Sequence, residues 1–547
     1  MPHPIPVPSP SAYAYPLLIK QLLHTPAATA AGQQIVYRGR QRNSYADLIA
    51  RIGRLANALA ALDIAPGSTV AVMDWDSHRY LETFFAVPMM GAVLQTVNIR
   101  LAPEQIAYTL NHAGADIVLV HADFLPVLET IHAELASVRQ FVLIRDDDTA
   151  TPATPIAFAG EYEALLAAAG SDYAFPDFDE NTRATTFYTT GTTGLPKGVY
   201  FSHRQLVLHT LAMAGALGTA AGQGRVHRGD VYMPITPMFH VHAWGMPYVA
   251  TMLGLKQVYP GRYQPDALLR LIADEGVTFT HCVPTILHML LASPAARDVD
   301  LSGLKMIVGG AALPKGLALS AMARGMDVFT GYGMSETCPI LTLAQLRPDA
   351  PQGAGAQADL RIKAGYPVPL VELRAVDGAM RDVARDGRAS GEIVVRTPWL
   401  TQGYLGNPEA SDALWEGGYL HTGDLGAIDG NGLLQVTDRI KDVIKTGGEW
   451  VSSLALESII SQHPAVNEAA VIGVPDDKWG ERPLALIVLR SGAEATAQQI
   501  RDHVQRYAEQ GQVSRYAVPD QVRFVASLDR TSVGKIDKKA LRAALAG

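Results

Sequence analysis

The sequence predicts an α/β protein: a large N-terminal domain of layered, mostly parallel sheets with a small β-rich subdomain, then a small C-terminal α+β domain. Three observations lead there. Amphipathic helical stretches alternate with short β-branched runs along the first 150 residues, the spacing of βαβ units. Short strand-like pieces at 371–375, 392–396 and 433–437 favour a smaller β-rich subdomain. After Asp442 a helix–strand pattern of about 105 residues is long enough for a separate unit.

The elements read in order as follows. Ser44–Leu62 is an amphipathic helix and 68–75 (Ser-Thr-Val-Ala-Val-Met-Asp-Trp) a strand. His78–Val87 is helical, 93–98 a strand, Pro103–His112 a helix opened by its proline, and 116–121 a strand. A second α/β stretch runs from about Val231 to Tyr332. The Gly/Ala/Pro-rich segment Ala350–Asp359 reads as a flexible loop. In the tail, Leu454–Ser461 and Ala497–Gln510 are helical, and Glu468–Val474, Leu484–Leu489 and Val522–Val525 are strands.

At roughly one domain per 100–200 residues, 547 residues suggest two to four units. Apolar residues make up 48% and charged residues 18%, which excludes a disordered or fibrous chain. A net charge of −8 gives no reason to expect nucleic acid as a partner. The two cysteines, Cys282 and Cys338, argue against a disulfide framework or structural zinc, read as core residues, and fit a reducing, cytoplasmic setting. The proline-rich start reads as a loose arm, not a signal peptide. No apolar run is long enough for a transmembrane segment. The tetrapeptide Leu-Pro-Lys-Gly occurs at 195–198 and 313–316, too short to mark a repeat.

The segment 186–199, Thr-Phe-Tyr-Thr-Thr-Gly-Thr-Thr-Gly-Leu-Pro-Lys-Gly-Val, carries the most chemistry. A strand-like start runs into glycines, the hydroxyls of Thr189, Thr190, Thr192 and Thr193, and Lys197. Glycines let backbone N–H groups approach an anion, while hydroxyls and an ammonium add donors, which suits a polyphosphate. It is not a Walker A loop, because Pro196 and Gly198 stand where that motif needs glycine and Ser/Thr.

This string resembles the phosphate loop of the adenylate-forming superfamily, which includes acyl-CoA synthetases, luciferases and peptide-synthetase adenylation domains. Further segments match in order: 237–245 (Pro-Met-Phe-His-Val-His-Ala-Trp-Gly) the acyl-pocket motif, 309–314 and 331–337 the adenine and magnesium motifs, then 419–425, 438–452 and 529–538. The match covers nearly the whole chain. It implies an acid–CoA ligase that uses ATP, Mg²⁺ and coenzyme A, with a domain 1–440 and a mobile domain 441–547 hinged at Lys441. A homodimer is a further expectation from the resemblance.

The resemblance also assigns roles. Thr189, Thr190, Gly191, Thr192, Thr193, Gly194 and Lys197 wrap the pyrophosphate, and Glu336, with Thr189, holds magnesium. Gly310, Gly331 and Tyr332 meet the adenine; Ser335 stands where the family usually has threonine. Asp424 holds the ribose hydroxyls with Arg439 nearby. Lys535 bridges carboxylate and phosphate in the first step, and Lys445–Trp450 swings in for the second. His240, Val241, Trp244, Gly245 and Gly310 line the acid pocket, with Trp244 matching a tunnel gate. That motif offers no carboxylate to pair an ammonium, which disfavours an amino acid. Medium-chain fatty acids are the expected substrate. Short thioether acids such as 3-methylmercaptopropionate, a carrier-protein acceptor and a non-catalytic nucleotide binder are the alternatives.

Overall fold

The structure, a computed structural model, describes residues 5–146, 153–189, 195–220, 224–446, 449–532 and 534–546. Two large sheets form the N-terminal body. One has seven strands among the described residues, in the order Gly160–Glu161, Gln140–Ile144, Ile117–His121, Thr69–Met73, Val93–Thr96, Arg183–Thr189 and Lys197–Ser202, parallel except for the last pair. The other has nine, with a parallel centre of Asp327–Gly333, Lys305–Gly309, Phe279–Cys282, Val231–Pro234, Lys256–Tyr259 and Gln34–Tyr37 and antiparallel edges.

Alternation along each strand places the core. Val70 and Val72 face the layer between the two sheets together with Ile307 and Phe329. Their neighbours Ala71 and Met73, and Met306 and Val308, face outer helices instead. Strands covered on both faces have no polar positions to spare, so they read as continuous apolar runs. Helix Tyr45–Ala61 shows the other period: Leu48, Ile52, Leu55, Ala56 and Leu59 are buried, and Ser44 with Asp47 closes a capping box at its start.

Downstream, Glu372–Val376, Gly391–Arg396, Trp415–Glu416, Tyr419–Ile428 and Leu434–Arg439 form a five-stranded antiparallel sheet. Ile444–Thr446, Glu449–Val451, Val466–Asp476, Gly480–Leu489 and Gln521–Phe524 form a five-stranded mixed sheet, in which Gln521–Phe524 runs parallel to Gly480–Leu489, flanked by helices Ser453–Ile460 and Ala497–Glu509. The fold is therefore the predicted α/β class, with a large N-terminal and a smaller C-terminal domain.

One expectation is corrected. The segment 350–359 is not all loop, because Ala354–Arg361 is an α-helix. Alanine favours helix where nothing opposes it, and the helix is docked: Lys315 pairs with Asp359 at 2.5 Å, and Arg361 with Asp327 at 2.6 Å. The N-terminal arm is exposed from Ile5 to Tyr15, as expected, and is tied down from Leu17, whose N–H donates to Glu180 at 2.8 Å. No described helix is long and apolar enough to cross a membrane.

The two large sheets are also joined through charge. Arg79, 1% exposed, lies 3.8 Å from the buried Asp74 carboxylate and 2.8 Å from Asp146, which also accepts from Tyr37 at 3.0 Å. Removing a buried cation strands its carboxylate. Arg79→Ala should therefore lower the stability of the N-terminal body by about 3 kcal/mol, read as an earlier midpoint in urea unfolding.

Candidate active site

The parallel strands of both large sheets end at one side, and the loops leaving their carboxyl ends carry the predicted residues. This is where open α/β sheets offer a crevice to ligands. Gly310 follows Lys305–Gly309; Tyr332 lies at the end of Asp327–Gly333, and the turn Ser335–Thr337 follows that strand. His240 to Gly245 follow Val231–Pro234. Thr189 and Lys197 face each other directly at the tip of the seven-stranded sheet. Thr190, Gly191, Thr192, Thr193 and Gly194 lie outside the described residues.

Two buried carboxylates organise the site. Glu336, 7% exposed, accepts the Tyr404 hydroxyl at 2.7 Å, and its backbone carbonyl accepts from Thr401 N–H at 2.9 Å. Burial raises its pKa; the Tyr404 hydrogen bond and the Lys197 and Lys535 charges oppose that. Asp424, also 7% exposed, accepts the Tyr332 hydroxyl at 2.9 Å and sits 3.3 Å from Arg439 Nε, its cross-strand neighbour. Burial raises this carboxyl too, against Arg439, Tyr332, Lys535 and Lys441.

Lys535 arrives from the C-terminal domain and reaches between them. Its Cε lies 3.3 Å and its Nζ 3.9 Å from where a Cβ on Gly310 would stand, so glycine there leaves room for the lysine stem. Gly310 also has φ of +77°, which glycine adopts without strain. Burial first, then Arg439, lowers the Lys535 pKa from 10.5 to about 8, while Asp424 and Glu336 pull it back. Lys197 lies 4.6 Å over the Tyr404 ring. Gly331 is cross-strand from Gly309; a Cβ there would meet Ile307 at 2.8 Å. Ser335 opens the turn that carries Glu336.

The acid-pocket motif folds into an unusual turn. Val241, His242, Ala243, Trp244 and Gly245 have φ of 47, 55, 47, 58 and 72°. A left-handed conformation costs a non-glycine residue roughly 1–2 kcal/mol, so the surrounding core must hold it. His242 is fully buried among Phe84, Phe187, Phe201 and Tyr248 with no hydrogen bond on either ring nitrogen. Trp244 stacks obliquely on His281 at 5.1 Å, and a Cβ on Gly309 would come within 3.1 Å of its ring. At Gly245 a Cβ would come within 2.9 Å of His209. Burial, with Lys535 and Arg100 nearby, depresses the His240 pKa to about 3, so that ring is neutral at physiological pH. The motif is held from behind by Asp76, which accepts Met238 N–H at 2.9 Å and the Tyr263 hydroxyl. Burial raises the Asp76 carboxyl to about 7.

The structure thus brings together Glu336, Tyr332, Asp424, Arg439, Lys197, Gly310, His240 and Lys535 around one crevice. Lys441 stands in the turn after Arg439, its charge felt at Asp424. Lys445 and Trp450 are exposed and pair with each other across Ile444–Thr446 and Glu449–Val451, at 5.7 Å, away from the cluster. Cys282 and Cys338 are fully buried, as expected, and burial raises the Cys282 thiol to about 12 and Cys338 further. Tyr404, Asp76, Asn98 and Arg100 were not singled out by sequence.

Residues 21–405 match the family of AMP-binding enzymes, and residues 455–535 match the AMP-binding enzyme C-terminal domain. The chain belongs to the AMP-binding enzyme family. It is 41% identical to a long-chain-fatty-acid–CoA ligase of Thermus thermophilus, over 92% of this chain and 90% of that one. It is 38% identical to a 3-methylmercaptopropionyl-CoA ligase of Ruegeria pomeroyi (96% and 97%) and 37% identical to a medium-chain-fatty-acid–CoA ligase of Ectopseudomonas oleovorans (92% and 90%). Within the family it is an acid–thiol ligase of the adenylate-forming, acyl-CoA synthetase branch.

The Tyr404–Glu336 bond yields a test. Tyr404 lowers the Glu336 pKa, so Tyr404→Phe should raise it while keeping the ring under Lys197. The ionised carboxylate is then lost earlier as pH falls, and the acid limb of kcat/KM for ATP should move to higher pH.

Proposed function

We propose that this ligase activates a medium-chain fatty acid as its acyl-adenylate and passes the acyl group to coenzyme A. The observation that carries the reading is the convergence of Lys535 with Glu336, Asp424 and the neutral pocket motif at one crevice. Joining a carboxylate to ATP sets anion against anion, so the site must supply cations where charge builds at the α-phosphate.

Each residue then has a task. Thr189 and Lys197, with Thr190–Gly194 between them, hold the β- and γ-phosphates as they depart. Glu336 with Thr189 would hold magnesium. A single buried carboxylate fits the chemistry of that ion, which is commonly bound by one or two protein carboxylates. When bound, the ion would neutralise phosphate charge. The Tyr332 ring borders the adenine, Asp424 accepts the ribose hydroxyls and Arg439 keeps that carboxylate ionised. Lys535 bridges the acid carboxylate and the α-phosphate. Rotation about Lys441 then withdraws Lys535 and brings Lys445–Trp450 in for thiol attack.

The acid meets Val241, Trp244, Gly245 and Gly310, with His240 uncharged above them. Nothing in that lining pairs an ammonium, and an apolar wall suits an alkyl chain. The relatives named for long-chain acids and for 3-methylmercaptopropionate bracket a medium chain; the short thioether acid is the second reading, favoured by the closeness of Trp244 to Gly309.

A panel from propionate to palmitate that includes 3-methylmercaptopropionate should give the highest kcat/KM at medium length; a maximum at the thioether acid would replace the first reading with the second. Lys535→Ala should slow adenylate formation at least about a hundredfold and leave thioester formation from supplied acyl-adenylate far less affected; equal losses would contradict the assignment. The working form of Lys535 is the ammonium, present below its pKa. Activity of the free enzyme should therefore fall as pH rises through about 8, and Arg439→Gln, which removes a cation that depresses that pKa, should move this alkaline limb of kcat/KM upward.

A further inference from the structure

We propose that Asn98 and Ser532 form a latch that holds the C-terminal domain in place for acyl-adenylate formation, with Asn98 a positioning residue for Lys535. The proposal rests on the reading of Lys535 given above.

Ser532 stands near the tip of a hairpin that is closed on itself. Thr531 N–H donates to the Lys535 carbonyl at 2.8 Å, Gly534 N–H to the Thr531 carbonyl at 2.9 Å, and Lys535 N–H to Thr531 Oγ1 at 3.2 Å. Arg530 anchors the hairpin to its own domain through Glu468 at 2.7 and 2.8 Å. Because the hairpin is internally bonded, fixing Ser532 fixes where Lys535 starts.

The partner side comes from the loop after Val93–Thr96, in the seven-stranded sheet. Asn98 Nδ2 donates to Ser532 Oγ at 3.0 Å, and Arg100 Nη1 to the Ser532 carbonyl at 3.4 Å. Asn98 is 6% exposed, and its Oδ1 accepts Arg100 N–H at 3.1 Å, which turns its amide nitrogen toward Ser532. Thr285 Oγ1, at the start of helix Pro284–Ala292 beside the nine-stranded sheet, reaches the Gly534 carbonyl at 3.5 Å. The hairpin is thus gripped from two sides of the N-terminal body, and Asn98–Ser532 is the shortest of these bonds. The Arg100 guanidinium also lies 5.9 Å over the Phe239 ring, so the latch abuts the acid-pocket motif. A rotation that withdraws Lys535 also separates Ser532 from Asn98, so the bond exists in one of the two working states only.

The test is a double-mutant cycle on the full chain, with adenylate formation followed by acid-dependent pyrophosphate exchange and the second step followed as thioester formation from supplied acyl-adenylate. Ser532→Ala and Asn98→Ala should each slow adenylate formation about fivefold, the effect of one neutral hydrogen bond, and the double variant should be no slower than the worse single one. Thioester formation should stay within twofold. Additive losses, equal losses in both half-reactions, or an unchanged adenylation rate in Ser532→Ala would each overturn the latch. Ser532→Ala keeps every bond within the hairpin, so its result stands even if Asn98→Ala disturbs the loop around Arg100. Failure of the cycle while Lys535→Ala behaves as expected would sink the latch alone; failure of Lys535→Ala would sink the reading beneath it.

Discussion

Burial pushes two carboxylates toward protonation, cations from separate parts of the chain oppose it, and the rest of the site is arranged around that balance. Glu336 feels Lys197 and Lys535; Asp424 feels Arg439, Lys535 and Lys441. Lys535 is shared between them, and it comes from deep within the C-terminal domain. Without Lys535 both carboxylates lose a counter-charge at once, so the position of the C-terminal domain and the electrostatics of the site are one variable.

The balance also explains where strain is tolerated. The left-handed run Val241–Trp244 belongs to no regular element, yet it lies between the two large sheets with His242 ringed by aromatics. Asp76 holds its leading edge through Met238 N–H. A core close-packed on all sides can hold a backbone conformation that the chain alone would abandon.

Much of this was legible in the sequence, for local reasons. The parallel strands read as apolar runs because both faces are covered, and the helices by their period and caps. The site residues Glu336, Asp424, Arg439 and Lys535 each stand in a string whose glycines and charges are themselves the chemistry. What stayed hidden depends on distance along the chain. Tyr404 reaches Glu336 across 68 residues, and Asn98 reaches Ser532 across 434. No local pattern marks either. Composition makes 350–359 read as a loop, whereas alanine propensity and the Arg361–Asp327 ion pair make Ala354–Arg361 a helix. The left-handed turn carries no signature either, because only Gly245 in it is a residue that favours positive φ.

The placement of the two cysteines has a consequence of its own. A mixed anhydride of acid and phosphate can acylate a thiolate it meets, and the chain carries two thiols of its own. Cys338 lies two residues beyond Glu336, and Cys282 ends a strand at the same crevice edge. Both are sealed from solvent and held as thiols by burial. Burial thereby withholds the chain's own sulfur, as a nucleophile, from any acyl-adenylate formed in the crevice.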